Sequence, residues 1–79
     1  MRTNCLEDFS QALLNKEIRS FKVIRRSGVV VVHLPNATNP GEHAAKKIAM
    51  ISVLAENIAR KHGTRHSMRA TSNLSIRFK

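Results

Sequence analysis

Few residues of this chain have the type and spacing that catalysis or metal binding needs. Cys5 is the lone cysteine and has no adjacent base to activate its thiol, so it is not indicated as a nucleophile. His62 and His66 have a spacing that can chelate a metal on one helical face, but Gly63 is expected to end the helix between them. The sequence therefore predicts no catalytic residue, no metal site and no cofactor.

The basic residues are the one group with a clear chemical meaning. Fourteen Lys and Arg against five Asp and Glu give a formal net charge of +9 at pH 7. Residues 1–17 have two basic and three acidic residues (net −1), and residues 18–79 have twelve against two (net +10). Self-repulsion of this size destabilises a small domain, so it favours an anionic partner such as nucleic acid. Solubility alone is the alternative explanation.

The first predicted element is a helix from Asn4 to about Asn15. Asn4 is a good N-cap, and Glu7 follows it at the capping-box spacing. Apolar residues then recur at intervals of three and four, which gives the helix one apolar face.

The second element is a β-hairpin made of residues 19–26 and 29–34. Ser27-Gly28 predicts a two-residue turn, because glycine accepts the positive φ of a type I′ turn. One face of this hairpin is apolar and is the candidate core face: Phe21, Val23, Val30, Val32 and Leu34. The other face mixes apolar and basic residues, which is unusual for a plain solvent face: Lys22, Ile24, Arg26, Val29, Val31 and His33.

A long helix and an alternating tail complete the fold. Asn39-Pro40-Gly41-Glu42 predicts the helix start, and Gly63 predicts an end near His62. The tail 67–79 reads as strand, and residues 71–73 can divide it into two strands. We predict one small basic α+β domain over 1–79, with an N-terminal helix, a β-hairpin, a long helix and one or two C-terminal strands, and with the long helix packed on a small antiparallel sheet.

If these strands share one sheet, the outward cations of the hairpin and of the tail lie on one surface. The expected phosphate contacts are Lys22, Arg26, Arg69, Arg77 and Lys79, with Lys46, Lys47 and Arg60 of the long helix as secondary contacts. The chain has no Trp or Tyr, and its three Phe are expected in the core, so stacking platforms for bases are missing. Binding is then expected to follow the backbone or shape of the nucleic acid. A solvated surface is the alternative.

The polar side of the long helix carries a second candidate site. Met50 and Val53 interrupt that side with apolar groups, and Asn57 adjoins them. They are either ordinary exposed hydrophobic residues or a protein interface, for a host protein or for a second copy in a homodimer.

Two segments resemble known families. Gly41–Ala49 (GEHAAKKIA) looks like the second-helix start of double-stranded-RNA-binding domains, which implies lysines against phosphates, although that family has three strands before this helix and ends with it. Residues 21–55 combine a Ser-Gly turn, a valine-rich strand, Asn39-Pro40-Gly41 and Ala44-Ala45-Lys46. This layout resembles the β–β–α arrangement of small phage-encoded proteins, including some anti-CRISPR proteins, which implies a non-enzymatic protein that docks on a nucleoprotein effector.

The expected function is that of a small non-enzymatic binding protein of phage or plasmid type, which contacts nucleic acid or a nucleoprotein complex through its basic faces. The alternative is an anti-CRISPR-type inhibitor that binds a protein partner in a CRISPR effector complex. No secretory signal and no apolar run of about 20 residues is visible, so no membrane partner is expected. One lone cysteine suits a reducing cytoplasm.

Overall fold

The fold is α+β, as the sequence predicts. The computed structural model describes residues 4–34 and 41–79, without the side chains of Asn4 and of residues 41–44. Its elements are α1 (Asn4–Asn15), β1 (Phe21–Ile24), β2 (Val29–His33), α2 (Gly41–Lys61), β3 (His66–Ala70) and β4 (Asn73–Phe78). The helix bounds agree with those predicted, and the tail forms two strands. The predicted capping interactions of Asn4 and of residues 39–42 lie outside the described residues.

Both helices end in the same hydrogen-bonded motif. After α2, the Thr64 N–H donates to the Ala59 carbonyl (2.8 Å), and Gly63 takes a positive φ of 64°. After α1, the Ile18 N–H donates to the Leu13 carbonyl (2.9 Å), and the residue with positive φ (62°) is Glu17. This is the Schellman arrangement, in which glycine is the usual residue at that position. Glu17 therefore holds a conformation that side chains disfavour.

Four antiparallel strands form one sheet in the order β1-β2-β4-β3. The predicted hairpin register is wrong by two residues, since Phe21 lies opposite Val32 rather than Leu34. The turn is accordingly four residues long, over 25–28. A shift of two residues keeps every side chain on its predicted face, so the apolar pattern alone could not distinguish the two registers.

Gly28 ends this turn and touches the neighbouring strand. Its φ is +68°, and its carbonyl accepts a hydrogen bond from the Phe78 N–H at 3.1 Å. A Cβ added there would lie 3.2 Å from the Phe78 carbonyl oxygen. Glycine thus satisfies both the turn and the close approach of β4.

Both helices pack on one face of the sheet, which we call the covered face. Its centre is made by the two inner strands, β2 and β4, and the side chains there are fully buried against α1 and α2: Val30, Val32, Leu74 and Ile76 from the sheet, and Phe9, Leu13, Ile51 and Ala55 from the helices. Phe9 meets Phe78 edge to face, with ring centroids 5.2 Å apart. The opposite face has no helix over it among the described residues.

The two helices are also joined by a polar contact. His62 Nε2 lies 2.7 Å from Asp8 Oδ2, and Lys61 Nζ lies 3.5 Å from the same oxygen. The hydrogen bond that His62 donates is the main reason why the pKa of the Asp8 carboxyl is lowered. This contact fixes the start of α1 to the end of α2.

Candidate nucleic-acid interface

The uncovered side of the sheet, which we call the open face, is built from every second residue of the four strands. The strand register aligns its side chains in rows. One row contains Lys22, Val31, Ser75 and Arg69, and the next contains Ile24, Val29, Arg77 and Ser67. Side chains that are distant in the sequence thus become neighbours at the strand spacing of about 4.8 Å.

Four cations cluster along β3 and β4, and we call them the basic track: Arg65, Arg69, Arg77 and Lys79. The Lys79 N–H donates to the Arg65 carbonyl at 3.0 Å, so these two residues extend the β3–β4 pairing by one step. Arg77 lies diagonally between Arg65 and Arg69, at separations of about 7–8 Å between backbone positions. All four side chains are exposed.

The track places like charges where a sheet normally avoids them. Arg65 and Lys79 are directly opposite each other, which is destabilising in an antiparallel pair. None of the four strands contains an Asp or Glu that could neutralise them. An anionic ligand would remove this repulsion.

The carboxylates with described ion pairs all lie on the helices. Glu7 of α1 pairs with Arg25 at 3.2 Å, and Glu56 of α2 pairs with Arg60 at 2.8 Å. Asp8 pairs with the end of α2, as given above. No described ion pair involves a cation of the basic track. The fold therefore separates a mixed-charge helical side from a cationic sheet side.

Beside the basic track lies an apolar patch, which we call the aliphatic strip: Ile24, Val29 and Val31. These side chains are half-buried, although no helix covers them. Val29 lies directly opposite Arg77, so the strip and the track touch along the β2–β4 boundary. Lys22 stands beyond the strip on the outer strand β1.

Among the described residues, the far end of the open face is formed by polar side chains. His33 Nδ1 lies 3.2 Å from Asn73 Oδ1, and these residues face each other across β2 and β4. Thr71 follows at the β3–β4 turn, where its N–H donates to the Asn73 carbonyl at 2.8 Å. The positive charge is thus concentrated toward the other end of the sheet.

The predicted phosphate contacts divide into two groups. Lys22, Arg69 and Arg77 lie on the open face as expected, and Lys79 extends it beyond β4. Arg26 is exposed in the turn over 25–28 rather than in a strand, because the turn is longer than predicted. Arg65, which the sequence groups with the exit of the long helix, also lies on this face, and the alternation of the tail, traced back by two residues from Ser67, leads to it.

The helical candidates lie elsewhere. Lys46, Lys47 and Arg60 belong to α2, which packs on the covered face, so they are not part of the open face. Arg60 is also paired with Glu56. The two predicted groups of cations are therefore separate.

The proposed protein-contact spot on α2 is smaller than expected. Met50 packs against the core instead of standing on the polar side of the helix. Val53 is 55% exposed, and Asn57 is exposed. This leaves one apolar side chain where two were predicted.

The other reactive residues form no site within the described part of the chain. Cys5 is buried, and its burial, followed by the negative charge of Asp8, raises the pKa of its thiol. His62 is held by Asp8, whereas His66 lies in β3 beside Phe78, so the two histidines are not paired. No group of three metal-binding side chains occurs among the described residues.

None of the helices in the described ranges is both long enough and apolar enough to cross a membrane. Comparison of the chain with protein-family models, with curated proteins and with solved structures finds no match.

Proposed function

We propose that this protein is a non-enzymatic nucleic-acid-binding protein, and that the open face of its sheet is the binding surface. The observation that carries the proposal is the basic track: four exposed cations in a group, two of them directly opposite each other, on a sheet whose strands contain no carboxylate. Phosphate groups would offset the repulsion between these cations.

The shape of the track fits a chain of phosphates better than a single anion. Arg65 and Arg69 are four residues apart in extended structure, which is about 13 Å. Arginine guanidinium groups bind phosphate through two parallel hydrogen bonds, and three of the four cations are arginines. Ser67 and Ser75 lie on the same face and add neutral groups that hydrogen-bond to phosphate or sugar oxygens.

Such a protein would act where nucleic acid and reducing conditions occur together, so we propose a cytoplasmic location. The partner is free nucleic acid or the nucleic-acid part of a nucleoprotein complex. On the β–β–α resemblance, we also propose that the protein is of phage or plasmid type.

Fluorescence anisotropy with a labelled oligonucleotide at 50 and 200 mM salt tests the proposal. A protein that neutralises about five phosphates, one for each cation of the basic track and one for Lys22, should lose affinity by a factor on the order of 10²–10³ between these conditions. We expect the double substitution Arg69→Gln with Arg77→Gln to weaken binding by about tenfold or more and to lower the salt slope by about two contacts.

A matched control removes the same charge from the helical side, through Lys16→Gln with Lys46→Gln. Both lysines are exposed, and neither lies on the open face. This pair should have a much smaller effect. If both double variants lose the same affinity, the protein's net charge rather than the open face determines binding. If the protein does not bind the oligonucleotide at 50 mM salt, the proposal is wrong.

The alternative is an anti-CRISPR-type inhibitor that binds a protein of a CRISPR effector complex through α2, where Val53 (55% exposed) and Asn57 lie at the surface. Its mark would be salt-tolerant binding to that protein, abolished by Val53→Asp and unaffected by Arg77→Gln. The opposite pattern would favour the open face.

A further inference from the structure

We infer that the nucleic acid bound by the open face is single-stranded, with its phosphates on the basic track and its bases on the aliphatic strip. The inference rests on the proposed function, and it adds the form of the ligand. Its starting point is that the track and the strip are adjacent: Val29 lies opposite Arg77, and Val31 lies opposite Ser75.

A single strand offers the complementary pattern. Its phosphates lie on one side and its unstacked bases present apolar faces on the other, so it can satisfy cations and an apolar surface at once. In a duplex the base faces are stacked inside, and phosphates flank each groove on both sides. The aliphatic strip would then meet no apolar partner.

The distribution of the cations agrees with one backbone rather than two. The basic track lies on one side of the strip, on β3 and β4. On the other side, β1 contributes Lys22 as its one cation. A duplex that straddled the strip would set one of its two backbones against fewer cations than the four of the basic track.

The strip also changes the expectation about stacking. Phe9, Phe21 and Phe78 all pack with the core, so the open face has no aromatic platform, as the sequence predicted. Ile24, Val29 and Val31 provide an aliphatic surface instead. Because every base has an apolar face, contact with such a surface tolerates many sequences.

Electrostatics alone predicts the opposite preference, which makes the test sharp. The salt-dependent contribution per phosphate is larger for duplex DNA (slope about −0.9) than for single strands (about −0.7). A purely cationic surface would therefore bind a duplex at least as well. The probes are a labelled oligo(dT) of about 16 nucleotides, the same strand annealed to oligo(dA), and an abasic strand of equal length.

At 50 mM salt we expect oligo(dT) to bind about tenfold more tightly than the duplex and the abasic strand. The double substitution Val29→Thr with Val31→Thr should weaken oligo(dT) binding several-fold without changing the salt slope, since it removes apolar contact and no charge. Val53→Thr on α2 is the matched control and should leave all affinities unchanged.

The outcomes are distinguishable. If the duplex binds as tightly as oligo(dT), or the abasic strand binds equally, the open face recognises phosphates only and this inference is wrong while the proposed function stands. If none of the three probes binds, the proposed function itself fails. Circular dichroism of each variant confirms that the sheet is retained, and Val31→Thr alone serves if the double variant does not fold.

Discussion

The two faces of the sheet are made by the same strands and have opposite properties. In β2 and β4, the residues Val30, Val32, Leu74 and Ile76 are fully buried under the helices. Their immediate neighbours Val29, Val31, Ser75 and Arg77 lie on the open face, where no described helix covers them. Alternate residues of each strand thus have different roles: one set packs in the core and stabilises the fold, and the other set faces outward, where it can contact a ligand.

The comparison also shows where the fold tolerates unfavourable contacts. On the helical side, the carboxylates of Glu7, Asp8 and Glu56 are paired with cations. On the open face, Arg65 and Lys79 face each other without a carboxylate on any strand. Stability comes from one face, and the other keeps a repulsion that only a partner would relieve.

The largest expected effect is on the covered face. Ile76→Ala removes a fully buried side chain between Val30 and Met68, and it should lower the free energy of unfolding by about 2–5 kcal/mol. Urea denaturation followed by circular dichroism measures this change. The neighbouring Arg77→Ala should stay within about 0.5 kcal/mol of the parent protein while weakening nucleic-acid binding. Equal destabilisation by both would contradict the division between the faces.

A smaller effect is expected where the chain leaves α1. Glu17→Gly relieves the strain of a side chain at φ 62° and should raise the free energy of unfolding by about 0.5–1 kcal/mol. Nucleic-acid affinity should change little, because the substitution removes one negative charge that is distant from the open face. Glu17→Ala is the control, because it removes the same charge without relieving the strain. A gain of similar size in the control would show that charge, not conformation, is responsible.

A substitution on the open face should change stability and nucleic-acid binding in opposite directions. Arg65→Glu replaces a repulsive pair with an attractive one opposite Lys79, so the free protein should become more stable by about 0.2–1 kcal/mol. The same change should weaken oligonucleotide binding, because one phosphate contact is lost and a negative charge is added. Denaturation and anisotropy on the same preparation measure both. Loss of stability together with unchanged binding would remove Arg65 from the basic track.

The smallest effect concerns the contact between the helices and depends on pH. The pKa of the Asp8 carboxyl is lowered in the folded protein, mainly by the hydrogen bond from His62, so the unfolded chain takes up a proton first as pH falls. The resulting stabilisation is fully present above the ordinary aspartate value of about 3.9 and is lost as pH falls through the lowered value. Asp8→Asn should be less stable than the parent near pH 5, and the difference should disappear in stronger acid. If the difference in stability persists in stronger acid, it does not come from the lowered pKa of Asp8.

Much of the fold could be predicted because local patterns specify it. The spacing of Asn4 and Glu7 and the period of the apolar residues predicted α1 from Asn4 to about Asn15, and Gly63 marked the end of α2. Alternation in the tail placed Leu74 and Ile76 inside and Arg77 outside. These features depend on residues close together in the sequence, where spacing and geometry are directly related.

Other features could not be read from local patterns. The predicted hairpin register was wrong because Ser27-Gly28 also fits the end of a four-residue turn. Both registers place the same side chains on the same face of the sheet, so the apolar pattern does not distinguish them. Met50 was misplaced because the direction from which the sheet and α1 approach α2 decides which side of that helix is covered. Glu17 at a position that favours glycine gave no signal at all.

The sequence by itself determined the elements, their apolar faces and the excess of positive charge, because each follows from residue type and short-range periodicity. The tertiary structure alone decided that β4 pairs with β2, that Arg65 meets Lys79, and that the aliphatic strip adjoins the basic track. Strand order and register bring residues 40 to 48 positions apart, such as Val29 and Arg77, to within one strand spacing, and no local pattern encodes such long-range pairing.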